Sequence, residues 1–186
     1  SPPPTPPVLN EVCIDYAERE RVKRCSFEWD NIQRTYYLKI PLQASSNNNL
    51  PLLISMHGYG GNALSHINYT NFKNIADREG FYLIYPQGSN LPSYLGGSSH
   101  WNVGGWTSKS TTDDLGFINK VLENVAEKYN FNENRIYATG MSNGGYMSYA
   151  LACNMSNKIA AIASVTGSMT NDTYNDCAAT RSVPVL

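Results

Sequence analysis

The sequence has no excess of either charge, no long apolar run, no closely paired cysteines and no histidine after His100. Lys plus Arg number 14 and Asp plus Glu 15 in 186 residues, a formal net charge of −1. That balance gives no basic face for a nucleic-acid backbone and no acidic tail. Nothing approaches the ~18 consecutive apolar residues of a membrane-spanning helix, and no secretory leader is visible. The absence of a CxxC pair argues against a zinc site or a thioredoxin-type motif.

What is present suits one globular domain, since 41% of the residues are hydrophobic, enough to bury a core. Thirteen Tyr and three Trp fit a core plus a binding cleft. Residues 1–9 are Pro-rich and read as an extended linker or tail. Residues 10–32 read as a small disulfide-closed extension, and residues 33–186 as the main domain, incomplete at its C-terminus. Cys13, Cys25, Cys153 and Cys177 allow three pairings. Pairing Cys13 with Cys25 and Cys153 with Cys177 closes the shortest loops, each stabilising by ~3 kcal/mol. Four buried free thiols are the other reading. Disulfides would place the protein in a secreted or periplasmic compartment. Glycosylation sequons begin at Asn68, Asn154 and Asn171, although so Asn-rich a chain produces them by chance.

Residues 34–40 (RTYYLKI) are β-rich and end at Pro41. Residues 50–56 (LPLLISM) are a short continuous apolar run of the kind buried on both faces of a parallel sheet. A helix is expected at about 69–79, stopped by Gly80, then a strand at 81–85. Residues 87–112 form a long Gly- and Ser-rich segment, of the kind that is functional or mobile. Ile118, Val121, Leu122, Val125, Ala126 and Tyr129 follow helical spacing behind a Thr112 cap. A strand at 135–139, a helix at 146–153 and apolar runs at 159–165 and 183–186 complete the alternation. That pattern predicts βαβ units: an α/β fold with a mostly parallel sheet flanked by helices.

The segment Gly140-Met141-Ser142-Asn143-Gly144 matches G-x-S-x-G, the nucleophile elbow. Ser142 must sit on a tight strand-to-helix turn, and side chains at Gly140 or Gly144 would clash there. The helix that follows aims its N-terminus at the site, favouring developing negative charge. His57-Gly58-Tyr59-Gly60-Gly61, after an earlier strand, suits the second half of an oxyanion hole. The two N–H donors are expected from Tyr59 and Asn143. Trp101 and Trp106 would wall the cleft, or else simply pack the loop.

An Asp or Glu and then a His normally follow the serine in this fold. Asp172 and Asp176 follow Ser142, but no histidine does. His57 reads as structural in the glycine turn, and His66 as a surface residue near a helix start. His100 lies beside Trp101, where service as the base would break the usual order. The 186 residues therefore hold no complete triad and are expected to stop just short of the strand that leads to the acid.

The motifs HGYGGN, YPQG, HWNVGG, TDDLGFI, RIYATGMSNGGYMSYALAC and RSVPVL resemble, in order, the polyhydroxybutyrate-depolymerase-like and feruloyl-esterase group of α/β-hydrolases, which overlaps carbohydrate esterase family 1. The resemblance runs from about residue 33 to 186. It implies an α/β-hydrolase fold and a secreted serine esterase needing no metal or cofactor. It also implies Ser142 as nucleophile, a Tyr59 and Asn143 oxyanion hole, and a Cys153–Cys177 disulfide. The partner is then an ester substrate: a feruloylated or acetylated sugar, a hydroxyalkanoate polyester or a small ester. The triad Asp and His would come from a C-terminal part of the same protein. Two other readings are a serine peptidase on the same fold and a non-catalytic glycan-binding or interaction module.

Overall fold

The computed structural model describes residues 11–17, 20–46 and 49–186. The Pro-rich stretch 1–9 lies outside these. In chain order the elements are β1 (Val12–Ala17), β2 (Val22–Trp29), β3 (Ile32–Lys39), β4 (Leu52–Met56), α1 (Ala63–Tyr69), α2 (Phe72–Glu79), β5 (Tyr82–Pro86), β6 (Ser89–Asn90) and β7 (Ser99–His100). They are followed by α3 (Asp114–Lys128), β8 (Ile136–Met141), α4 (Asn143–Asn154), β9 (Ile159–Val165) and α5 (Asn171–Asn175). Seven strands make one mixed sheet in the order β1-β2-β3-β5-β4-β8-β9, and β6 pairs with β7 apart from it. The strands from β5 through β4 and β8 to β9 run parallel, and β1, β2 and β3 continue the sheet in antiparallel fashion.

The first two of these strands lie within the expected extension over 10–32 and pair with one another and with β3. Asp30 and Asn31, at φ 52° and 58°, form the two-residue turn joining β2 to β3, the left-handed geometry that keeps hairpin strands aligned. Cys13 and Cys25 are directly opposed in the ladder and form a disulfide. The Glu11 carboxylate accepts from the Tyr36 hydroxyl and the Asn124 amide, and pairs with Lys128. The first strands are thus tied to α3 as well as to their neighbours.

The sheet buries both faces. Leu52, Ile54 and Met56 of β4 pack with Phe117, Ile118 and Val121 of α3 and Met147 and Leu151 of α4. A smaller cluster on α1 and α2 gathers Ala63, Ile67 and Ala76 with Leu83 and Tyr85 of β5. The helix expected at about 69–79 is α2, which begins at Phe72, and a separate helix, α1, precedes it. Thr70 is extended, and its hydroxyl serves the His66 carbonyl and the Tyr85 hydroxyl, which stops α1 before α2 begins. Gly80 terminates α2 at φ 73°, as expected. Asp113, not Thr112, caps α3 by accepting from the Gly116 N–H at 2.9 Å. Val185 bridges to Ile162 in parallel register, extending the sheet past β9.

Candidate active site

The nucleophile elbow is built from two close backbone approaches. β8 ends at Met141 and α4 starts at Asn143, leaving Ser142 alone at the corner. Its φ of 51° and ψ of −117° lie off the favoured regions for an L-residue, a conformation costing about 1–3 kcal/mol. The surroundings enforce it: the Ser142 N–H donates to the Val165 carbonyl at 2.8 Å, and its carbonyl accepts from Tyr146 at 3.0 Å. A Cβ on Gly140 would lie 2.4 Å from the Gly144 backbone, and one on Gly144 would lie 2.3 Å from the Met56 carbonyl oxygen. Only glycine lets β8, α4 and β4 meet this closely.

The turn after β4 reaches the same corner. A Cβ on Gly58 would stand 3.7 Å from the Ser142 Cβ. The Gly60 and Gly61 N–H groups are spent on the Ser99 and Gly58 carbonyls, whereas those of Tyr59 and Asn143 serve no backbone carbonyl among the described residues. Asn143 is the first residue of α4, so the partly positive helix end also faces this corner.

His57 holds the turn in shape. Its Nε2 accepts from the Gly88 N–H at 3.0 Å, so the ring proton sits on Nδ1 and is donated to the Gly58 carbonyl at 2.8 Å. Burial lowers its pKa, keeping the ring neutral. His100 is fully buried, bonded to the Ser89 carbonyl and the Ser110 hydroxyl. His66 is not a surface residue: it is buried on α1 with Nε2 3.0 Å from the Ser55 hydroxyl. None of the three bonds to Ser142.

Burial also pushes the His66 pKa down to about 4. The unfolded chain then binds the extra proton first. Its stabilising contribution is whole above about pH 6.5 and is lost as pH falls toward 4. Thermal unfolding at pH 7 and pH 4.5 checks this: His66→Gln, which retains an amide for Ser55, should flatten the acid-side decline in Tm. An unchanged decline would assign it to other groups.

Trp101 takes the packing role, the second of its two expected ones. It is fully buried and walls no cleft. Its indole N–H donates to the His57 carbonyl at 2.9 Å. Its backbone exchanges two hydrogen bonds with the Asn143 side chain, at 2.7 and 3.0 Å. One residue therefore clamps the glycine turn to the start of α4. Nothing in the sequence marked the Asn143 side chain as the other half of this clamp, because its partner lies 42 residues away.

Trp106 is 53% exposed and meets the rings of Tyr59 and Tyr146 edge-on, at 5.5 and 6.0 Å. Tyr146, absent from the sequence-based site, stands one helical turn after Ser142. Asp172 accepts the Gly105 N–H at 2.6 Å and the Thr170 hydroxyl donates to the Val103 carbonyl, so the segment around α5 fixes the Trp106 loop. The 87–112 segment is also pinned at Asn102. The buried Arg34–Asp114 ion pair, 2.6 Å, offers the second Asp114 oxygen to the Asn102 N–H at 2.7 Å. Cys153 and Cys177 form a disulfide from the end of α4 to the segment after α5. Two disulfides fit an oxidising, extracellular environment. Among the described residues no helix is long and apolar enough to cross a membrane.

The chain is similar in sequence and in fold to known proteins. A bifunctional acetylxylan esterase/xylanase of Neocallimastix patriciarum is 31% identical over 138 residues, 74% of this chain and 18% of that protein. Feruloyl esterase B of Thermothelomyces thermophilus is 30% identical over 148 residues, 78% of this chain and 47% of that protein. The chain thus spans less than half the length of these relatives. Among solved structures, an acetyl xylan esterase from Aspergillus awamori superposes with a TM-score of 0.61 at 16% identity, over 88% of this chain and 56% of that one. An S-formylglutathione hydrolase from Agrobacterium tumefaciens gives 0.65 at 11% identity, over 83% and 61%. Both share the α/β-hydrolase fold. The esterase PHB depolymerase family profile matches residues 34–183, most of the chain and all of the elbow, and the chain belongs to that family.

Proposed function

We propose that this chain carries the nucleophile and oxyanion hole of a secreted serine esterase that cleaves carboxylic esters through an acyl-enzyme. The observation that carries the reading is the strained Ser142 at the β8–α4 corner, beside Gly58 and below the first amide of α4. Ser142 attacks the ester carbonyl. The N–H groups of Asn143 and Tyr59 receive the developing oxyanion, where each such donor is worth on the order of 100- to 1,000-fold in turnover. A histidine from outside these 186 residues, oriented by a carboxylate, takes the serine proton and returns it to the leaving alcohol. Water then releases the acid.

The relatives' names support ester substrates, with acetylated xylan and feruloyl esters foremost. The exposed Trp106, flanked by Tyr59 and Tyr146, offers ring faces and edges for an aromatic acyl group or a sugar beside the serine. Kinetics of the full-length protein on a panel of short acyl esters, feruloyl esters and peptide amides tests the assignment. Esters should turn over and amides should not; amide hydrolysis at matching or higher kcat/KM would replace the esterase reading with a peptidase.

A further inference from the structure

The five methionines differ sharply in their access to solvent. Met56 and Met147 are fully buried, Met155 is buried and Met169 is half-buried. Met141 is 36% exposed, and it immediately precedes Ser142 as the last residue of β8. Side chains alternate between the two faces of a strand. Ile136 and Ala138 of β8 pack in the core with α3 and α4. Met141 therefore falls on the opposite face, beside its register partner Val165 of β9.

The end of this side chain reaches the glycine turn. Its Cε lies 3.5 Å from where a Cβ on Gly58 would stand. Met141 also lines a small pocket of about 100 Å³ with His66, Tyr69, Phe72 and Val165. One thioether thus adjoins both the nucleophile and the residue before Tyr59, whose amide is the second proposed oxyanion donor. A thioether sulfur is soft and polarisable. A free thiol would compete with it for an oxidant, but all four cysteines are held in disulfides.

We propose that Met141 is a modification site, oxidised to the sulfoxide by hydroperoxides, and that this oxidation slows Ser142. In the step, sulfur attacks the peroxide, so an S–O bond forms and the O–O bond breaks. The thioether loses two electrons and hydrogen peroxide is reduced to water. The departing oxygen takes up the proton of the transferred one. The product is polar and bulkier than the thioether, so its methyl can no longer pack against Gly58 as before. Its new oxygen also carries partial negative charge, beside the turn that must receive a developing oxyanion. Like charges at that point oppose the transition state. The inhibition rests on the esterase reading of Ser142, whereas the oxidation itself does not.

The test treats the full-length protein with graded amounts of hydrogen peroxide. Each sample is read by peptide mapping, by ester turnover and by the rate at which a fluorophosphonate labels Ser142. Met141 should be the first methionine to gain an oxygen. Turnover and labelling should fall in step with its occupancy, by about 10- to 100-fold at completion. Methionine sulfoxide reductases of both stereochemical types together should restore both rates. Met141→Leu, a swap of similar volume, should show no such decline relative to its own untreated rate. Oxidation of Met169 ahead of Met141, undiminished rates with Met141 fully oxidised, or an equal decline in Met141→Leu would overturn the proposal. A protein that neither turns over esters nor takes the probe would remove the esterase reading, while the order of methionine oxidation would still decide the modification.

Discussion

Ser142→Ala should lower ester turnover by about 10,000-fold or more, the scale on which loss of a serine nucleophile acts. No nearby residue can substitute: the three histidines are all committed elsewhere, and the Asp172 carboxylate is held by the Gly105 N–H. A companion variant separates chemistry from structure. Ser142→Gly should also be inactive yet more stable by about 1 kcal/mol, because glycine relieves the positive φ at the corner. Kinetics and thermal unfolding on the same preparations check both. Loss of activity without a gain in stability for Ser142→Gly would mean that the corner is not strained. Retained turnover in Ser142→Ala would place the nucleophile elsewhere.

Trp101→Ala should cost about 3–5 kcal/mol of stability, as expected for emptying a fully buried aromatic site. In a protein of this size that lowers Tm by about 10 °C or more. The same change removes the indole hydrogen bond to the His57 carbonyl and the ring packed at 5.1 Å against His57. The glycine turn then loses its clamp, so kcat should fall along with stability. A cleft-wall tryptophan would behave differently, raising KM while leaving Tm nearly unchanged. Trp101→Phe keeps most of the volume and loses the hydrogen bond, so it should fall between the two in stability while still lowering kcat. A pure KM effect in either variant would restore Trp101 to the cleft.

The features legible in the sequence were those set by local pattern. The run at β4 and the helical spacing of α3 each bury a face that composition alone identifies. The elbow was legible for a steric reason, since a side chain at Gly140 or Gly144 collides with backbone. Features that depend on distant partners were not. Asp30-Asn31 looks like any polar turn until β2 and β3 pair across it and join the sheet. His66 looks like a polar residue on a helix until Ser55 meets it beneath the sheet. Trp101 looked like an aromatic on a long loop, and only the Asn143 clamp shows why that loop runs through the interior. The oxyanion turn lies between these cases: its glycines are visible in sequence, whereas the commitment of the Gly60 and Gly61 amides, leaving that of Tyr59, needs the fold.

The proposed esterase chemistry depends on Ser142 being an activated nucleophile. Intact-mass measurement of the full-length protein before and after a fluorophosphonate probe, followed by peptide mapping, tests it most directly. A single adduct is expected, on Ser142, and it disappears in Ser142→Ala. An unmodified protein, or an adduct on any other residue, would contradict it.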